Sequence, residues 1–408
     1  MKKPLLLLAT LFTLFACTYP QSSQSSKNQE NIDNIITDSP IKMGAEATDK
    51  YFPLIEGKRV AVLTNQTGVV KDEHLVDMLK HKGFDLVGIF SPEHGFRGTA
   101  DAGEHISSTV DKKTGIPIWS LYDGKGGKPS TKTMNKFDVL VFDLQDVGLR
   151  FYTYYITMAR MMDACAQHGK EMIVLDRPNP NGFYVDGPLL DMKYKSGVGS
   201  LPIPVVHGMT LGELALMING EKWLPRKRTC QLTVIPCENF TSDMKYELPI
   251  APSPNLPNIH AIYLYPSTCL FEGTVMSLGR GTSFPFEVYG HPKFSGADFF
   301  FTPRSVAGAK NPPLLNKKCY GVDLRNVSNQ EIWKNGFDLS YVIDAYNNLD
   351  MGDRFFTSFF ENLVGVDYIR TMIKEGKTNQ EIRAMWQDDV VRFKKQRLPY
   401  LLYTKQSD

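Results

Sequence analysis

The sequence predicts an α/β protein, with a mostly parallel, doubly wound sheet followed by a smaller α+β domain. Three observations predict it. Short apolar runs rich in β-branched residues alternate with helical patterns between Arg59 and Pro236. Polar residues gather at the C-terminal end of one run after another. After about Glu247 the rhythm breaks into a proline-rich, irregular stretch.

The elements follow in order. Residues 59–64 (RVAVLT) read as a strand ending at Asn65. Residues 74–83 read as a helix closed by Gly83, since glycine takes the left-handed stop without a Cβ penalty. LVGIF (86–90) is a strand running into Ser91-Pro92-Glu93-His94-Gly95, and 116–122 is another after a long polar loop. VLVFD (139–143) has the length and β-branched content of a buried strand, and it ends abruptly in Asp143, Gln145, Asp146 and Arg150. A helical pattern follows, with Tyr155, Met158, Ala159, Met162, Cys165 and Ala166 on one face and Arg160, Asp163 and Gln167 opposite. EMIVLD (171–176) and IPVVHG (203–208) read as strands, Thr210 starts a helix over 211–219, and QLTVIP (231–236) is the last strand of the series. Residues 275–290 are strand-like with glycines. In the tail, Thr378 and Glu381 form a capping box before a helix reaching Arg397.

In a parallel sheet the C-terminal strand ends share one edge, and ligands bind outside it. Asn65, Glu93, Asp143, Asp176 and His207 each stand at such an end, so they are expected to converge on one crevice. A second domain against that edge would complete a cleft.

Composition narrows the function. Removing Lys2 and Lys3 leaves the basic residues equal in number to the 44 acidic ones, so no general electrostatic grip on nucleic acid is indicated. Residues 1–16 have two lysines and a short leucine-rich core, the layout of a secretory signal. Cys17 follows in the position of a lipoprotein cleavage site, and 17–43 reads as a lipidated cysteine and flexible tether. The expected domains are then 44–246 and 247–408, and the expected location is exported, as a periplasmic or outer-membrane lipoprotein. Cys165, Cys230, Cys237, Cys269 and Cys319 show no zinc spacing, and an odd count argues against a disulfide framework. A Cys230–Cys237 bridge is the one pairing to test.

No GxGxxG, HExxH or GxSxG occurs. Glu93, His94 and Asp143 lack ligand spacing, so no metal and no cofactor is expected. Several carboxylates, arginines and aromatic rings at a cleft suit glycoside hydrolysis, in which one carboxyl protonates the leaving oxygen and a second acts as base or nucleophile. Tyr152 and Tyr154 offer faces for stacking on a sugar, and arginine can grip a substrate carboxylate.

SPEHGFRG (91–98), DLQDVGLRFYTY (143–154), DRPNP (176–180), LFEGT (270–274) and SLGRGT (277–282) resemble the NamZ/YbbC-type family of exo-β-N-acetylmuramidases, over about Gly44 to the C-terminus. The resemblance implies a Rossmann-like domain with a smaller C-terminal domain closing the cleft. It also implies removal of N-acetylmuramic acid from the non-reducing ends of peptidoglycan fragments. Carried onto this chain, Glu93 is the first catalytic carboxyl. Asp146, then Glu272, then Asp143 are candidates for the second, and His94 is a candidate either to orient Glu93 or to hydrogen-bond the acetamido group. Arg150, Arg177 and Arg280 are candidates for the lactyl carboxylate of muramic acid. Asn65, Asn179, His207 and Asn255 are candidates for further substrate contacts. The expected partners are peptidoglycan-derived muropeptides or disaccharides, and a membrane through Cys17. The alternative is a non-catalytic muropeptide-binding lipoprotein. An esterase or amidase would need a nucleophile or metal constellation that the sequence does not offer.

Overall fold

A computed structural model of the chain describes residues 40–92, Phe96, 109–121 and 128–403. Chain order gives α1 (Thr48–Ile55), β1 (Val60–Thr64), a small hairpin of β2 (Val69–Val70) and β3 (Glu73–His74), and α2 (Leu75–His81). Next come β4 (Leu86–Ser91), β5 (Thr109–Val110), β6 (Pro117–Ser120), α3 (Thr131–Met134) and β7 (Val139–Asp143). Then follow α4 (Tyr154–His168), β8 (Glu171–Leu175), α5 (Leu211–Gly220) and β9 (Gln231–Ile235).

The central sheet has the order β5-β6-β4-β1-β7-β8-β9. Six of these strands are parallel, and β5 runs antiparallel to β6 at one edge. The chain starts in the middle, winds out one way through β4 and β6, then returns to β7 and winds out the other way. The strand order therefore reverses between β1 and β7, and a crevice opens at their C-terminal ends.

The alternation of side chains along each strand explains the two layers. Val60, Val62, Val139, Val141 and Ile173 pack with Tyr51, Ile55, Leu75 and Leu79 of α1 and α2. Their sequence neighbours Ala61, Leu63, Leu140, Phe142 and Val174 pack with Tyr155, Met158 and Met162 of α4 and with Leu214 of α5. Successive Cβ atoms point to opposite faces, so a sheet covered on both sides needs every residue apolar.

The C-terminal part begins with α6 (Ile259–Thr268) and a 3-10 turn over Cys269–Gly273. Three antiparallel strands, β10 (Val288–His291), β11 (Phe299–Phe301) and β12 (Cys319–Asp323), form a smaller sheet in the order β10-β12-β11. Helices follow, ending in Gln387–Arg397.

Local expectations meet the structure unevenly. Residues 203–208 are not a strand; Val206 makes only isolated bridges to Leu149 and Asp186. Pro202 and Pro204 carry no N–H to feed a ladder. Within 275–290 only Val288 onward is strand, because the chain turns at Gly279, Gly281 and Phe286, all with positive φ. The tail helix is two helices, broken at Trp386, whose buried indole N–H donates to Asp186 Oδ1 at 2.9 Å. Asp163, expected on the solvent face of α4, is buried and paired with Arg228 and Lys128. Cys165, Cys230, Cys237, Cys269 and Cys319 are all free and buried. Cys230 and Cys237 flank the extended strand β9, roughly 20 Å apart at strand spacing and far beyond disulfide reach. Among the described residues no helix is long and apolar enough to cross a membrane.

Candidate active site

Strand β1 delivers Asn65 at the switch point. Its Oδ1 accepts from the Thr67 N–H at 2.9 Å and the Thr67 hydroxyl at 2.6 Å, and its Nδ2 donates to the Tyr154 hydroxyl at 2.8 Å. The Thr67 hydroxyl oxygen accepts from the Gln145 N–H, joining the β1 and β7 loops. Gly68 is required here, since a Cβ would lie 2.0 Å from Thr64 Oγ1.

Strand β7 ends in Asp143, which is fully buried. Arg177 reaches both of its oxygens, with Nε to Oδ1 at 2.5 Å and Nη2 to Oδ2 at 3.0 Å. A carboxylate held at both oxygens by one guanidinium ties the β7 end to the β8 end. Asp146 is different. Its Oδ1 accepts from the Gly148 N–H at 2.6 Å, while its Oδ2 meets no hydrogen-bond partner among the described residues. Burial pushes its pKa up to about 7, since an apolar setting disfavours the charged form.

Several expected site residues are placed elsewhere. Arg150 is wholly buried, and its guanidinium donates to the carbonyls of Pro188, Ile203, Leu363 and Val364 at 2.7–2.9 Å. It ties three chain segments to its own rather than facing a cleft, and burial lowers its pKa to about 10. Asp176 does not face the crevice either. It accepts from the Thr210 hydroxyl, the Gly212 N–H and the Tyr403 hydroxyl, fixing the start of α5 and the returning tail. Asn179 accepts from the Asn181 N–H and donates to the Met209 carbonyl beneath Gly148. His207 is fully buried, its Nδ1 accepts from the Met209 N–H, and burial beside Arg397 pushes its pKa down to about 3. Glu93 and His94 lie outside the described residues; the chain reaches Pro92 after the end of β4.

The described cavity that gathers the remaining candidates has a volume of about 410 Å³ and is lined by Tyr152, Tyr154, Tyr265, Asn255, Glu272 and Arg280 among others. The tyrosine wall is rigid: Tyr152 and Tyr154 meet edge to face at 4.9 Å, and the Tyr152 hydroxyl donates to the Pro252 carbonyl at 3.0 Å. Tyr265 packs edge-on against Phe151 and Phe286. Glu272 comes from the 3-10 turn and Arg280 from a turn held by positive-φ Gly279 and Gly281. Arg280 Nε and Nη2 both donate to Glu272 Oε1, at 2.9 and 2.5 Å. Among the described residues, no hydrogen bond is made to Glu272 Oε2 or by Arg280 Nη1. Arg280 also stacks at 5.0 Å over Phe286, which fixes the guanidinium plane.

Tyr265, Ser253 and Arg160 also line this cavity and are not singled out by the sequence reading. Tyr265 lies in α6, within the stretch that the sequence led us to expect as irregular. The S-P-N of Ser253–Asn255 was the available signal, a serine hydroxyl accepting from the N–H two residues on. Among the described residues no group of three His, Cys, Asp or Glu side chains is placed to hold a metal ion.

The family model described as exo-beta-N-acetylmuramidase NamZ, N-terminal, matches residues 60–260, and its C-terminal counterpart matches 263–403. The chain belongs to the NamZ family. It is thereby a glycoside hydrolase. A curated NamZ relative, the peptidoglycan beta-N-acetylmuramidase of Bacillus subtilis (strain 168), is 38% identical over 373 residues, covering 86% of this chain and 89% of the relative. A crystal structure of a DUF1343 family protein from Bacteroides fragilis NCTC 9343 is 62% identical with a TM-score of 0.85, covering 90% of this chain and all of that one. A second from the same organism is 31% identical with a TM-score of 0.75, covering 89% of this chain and 99% of that one. Within this NamZ-family chain the motifs divide by task. DRPNP and much of DLQDVGLR hold the strand ends together. FYTY, LFEGT and SLGRGT build the cavity wall and its ion pair.

Proposed function

We propose that the protein is an exo-acting hydrolase that releases N-acetylmuramic acid from the non-reducing end of peptidoglycan fragments. The observation that carries this is the Glu272–Arg280 pair on the wall of the tyrosine-lined cavity. Among the described residues one Glu272 oxygen and one Arg280 nitrogen make no hydrogen bond, and both residues line the cavity. Muramic acid differs from glucosamine by a lactyl carboxylate, and Arg280 Nη1 is the donor assigned to it.

The chemistry balances with two carboxyl groups. The bond from the anomeric carbon to the bridging oxygen breaks, and that oxygen takes a proton from the acid. Water supplies hydroxyl to the anomeric carbon and its other proton to the second carboxylate. Glu93, which follows β4 in sequence, is the acid in this reading. Glu272, ion-paired and offering an electron pair at Oε2, is the second carboxylate. Asp146, next to the tyrosine wall in sequence, is a buried carboxyl that positions that wall.

Export and a lipid on Cys17 belong to the same proposal, because they put the enzyme beside wall fragments. Labelled fatty acid should be incorporated by the wild type and not by Cys17→Ser. The activity is tested by digesting a chain with alternating sugars and a reduced end. Free N-acetylmuramic acid should appear from the first time point, and internal fragments would contradict exo action.

A further inference from the structure

Another cavity, of about 280 Å³, is lined by Gln145 and Arg177, which follow the ends of β7 and β8, and by Glu46 and Lys71. It shares no lining residue with the tyrosine-lined cavity. Three of its side chains are tied down at one end only. Arg177 uses Nε and Nη2 on Asp143, and Nη2 also donates to the Val69 carbonyl at 3.2 Å. Gln145 Nε2 donates to the carbonyls of Asp146 and Pro178 at 2.8 and 2.7 Å. Glu46 Oε2 accepts from the Met43 N–H at 2.7 Å. Among the described residues, no hydrogen bond is made by Arg177 Nη1 or to Gln145 Oε1 or Glu46 Oε1. Arg177 and Gln145 are only 7% and 4% exposed, so each leftover polar atom belongs to a side chain fixed by its surroundings. Glu46 is fixed through its backbone. The nearby Gly44 N–H donates to the Asp176 carbonyl at 3.0 Å, and a Cβ on Gly44 would stand 2.6 Å from the Asp176 nitrogen. Burial pushes the Tyr246 pKa up to about 12, and Arg177 and Glu46 act on that hydroxyl in opposite senses, so both charges lie near one ring.

From this arrangement we infer that the cavity is a binding site for a small zwitterion, an α-amino acid, separate from the site of sugar hydrolysis. The charges choose between ligands. Arg177 is balanced by Asp143, and Lys71 and Glu46 offset each other, so the formal charge of these groups is zero. A bare anion or a bare cation would leave one charge uncompensated beside buried groups, and a zwitterion does not. Its carboxylate takes Arg177 Nη1 with Lys71 alongside. Its ammonium donates to Gln145 Oε1 and Glu46 Oε1. A short aliphatic side chain lies against Met43, Val69 and Ile250, which supply the apolar part of the wall. The volume falls just below the range of about 300–1,000 Å³ usual for larger ligands, which suits one amino acid and not a peptide. The assignment does not depend on which sugar the enzyme cleaves.

The test is calorimetric titration of the purified protein with L-alanine and D-alanine, and with acetate and methylammonium as the two half-ligands. Wild type, Glu46→Gln and Lys71→Ala are compared. Wild type should bind at least one alanine enantiomer in a one-to-one ratio, at least about tenfold more tightly than either half-ligand. Affinity should fall about tenfold in Glu46→Gln, which removes the charge and keeps an acceptor for the Met43 N–H. It should fall less, severalfold, in Lys71→Ala, because that lysine is exposed and its charge is screened. No saturable binding of either enantiomer at millimolar concentration would overturn the assignment. So would acetate binding as tightly as alanine, which would make this an anion site, and so would wild-type affinity in both variants. Displacement of alanine by N-acetylmuramic acid would also overturn it, by making the cavity part of the sugar site.

Discussion

The Asn65 side-chain amide donates to the Tyr154 hydroxyl at 2.8 Å, so the end of the central strand holds a ring of the cavity wall. The same Asn65 holds Thr67, and Thr67 holds the start of the β7 loop. The sheet edge and the tyrosine wall are one hydrogen-bonded unit.

Replacing Asn65 by alanine strands the Thr67 N–H and hydroxyl donors in a buried setting and removes the Asn65 hold on Tyr154. A loss of about 1–3 kcal/mol is expected for such unsatisfied groups. Thermal unfolding should show the loss, and KM for the muramic glycoside should rise as Tyr154 loosens. An unchanged Tm and KM would separate the wall from the strand end.

The Asp143–Arg177 pair is predicted to hold structure rather than do chemistry. Asp143→Asn leaves a buried guanidinium half-paired, and breaking such a pair costs about 3–5 kcal/mol. The double variant Asp143→Leu/Arg177→Met should recover much of that stability in a thermodynamic cycle. Full stability in Asp143→Asn together with abolished turnover would return Asp143 to the catalytic pair.

Stability should depend on pH through Asp146. Its folded pKa of about 7 lies above the ordinary carboxyl value, so the folded state keeps a proton that the unfolded chain loses. Its favourable contribution is complete below the unfolded pKa, near 4, and is lost as pH rises toward 7. Glu213, buried and also raised to about 7, acts in the same direction. His207, lowered to about 3, acts oppositely between about 3 and 6.5, where the unfolded chain binds the extra proton. Asp146→Asn removes only the first of these. Tm of the variant minus Tm of wild type should therefore climb as pH goes from 4 to 7 and then level off. A difference independent of pH would show that Asp146 is ionised in the fold.

The sheet was legible because buried parallel strands have no freedom in composition: every residue of β1 and β7 is apolar or at a strand end. What the polar residues do was less legible, because their partners arrive from far along the chain. Arg150 reads like a substrate arginine until the carbonyls of Leu363 and Val364 meet it, more than two hundred residues later. Asp176 reads like a site carboxylate until Tyr403 closes on it. Glu272 and Arg280 were each readable as candidates. Their pairing depends on the two glycine turns that fold SLGRGT back on the 3-10 turn, and spacing alone does not reveal that. The strand expected at 203–208 failed for a reason present in the sequence, the two prolines that deny it a ladder.

The most direct measurement is cleavage of chromogenic N-acetylmuramic acid and N-acetylglucosamine glycosides by wild type, Glu93→Gln and Glu272→Gln, run together with Tm as a control for folding. Cleavage of the muramic substrate alone is expected, with a loss of at least about a hundredfold in kcat for each variant at unchanged Tm. Equal cleavage of both sugars would contradict the lactyl role of Arg280. Undiminished turnover in Glu272→Gln would remove the ion pair from the chemistry, and no cleavage by wild type would leave a protein that binds muropeptides without hydrolysing them.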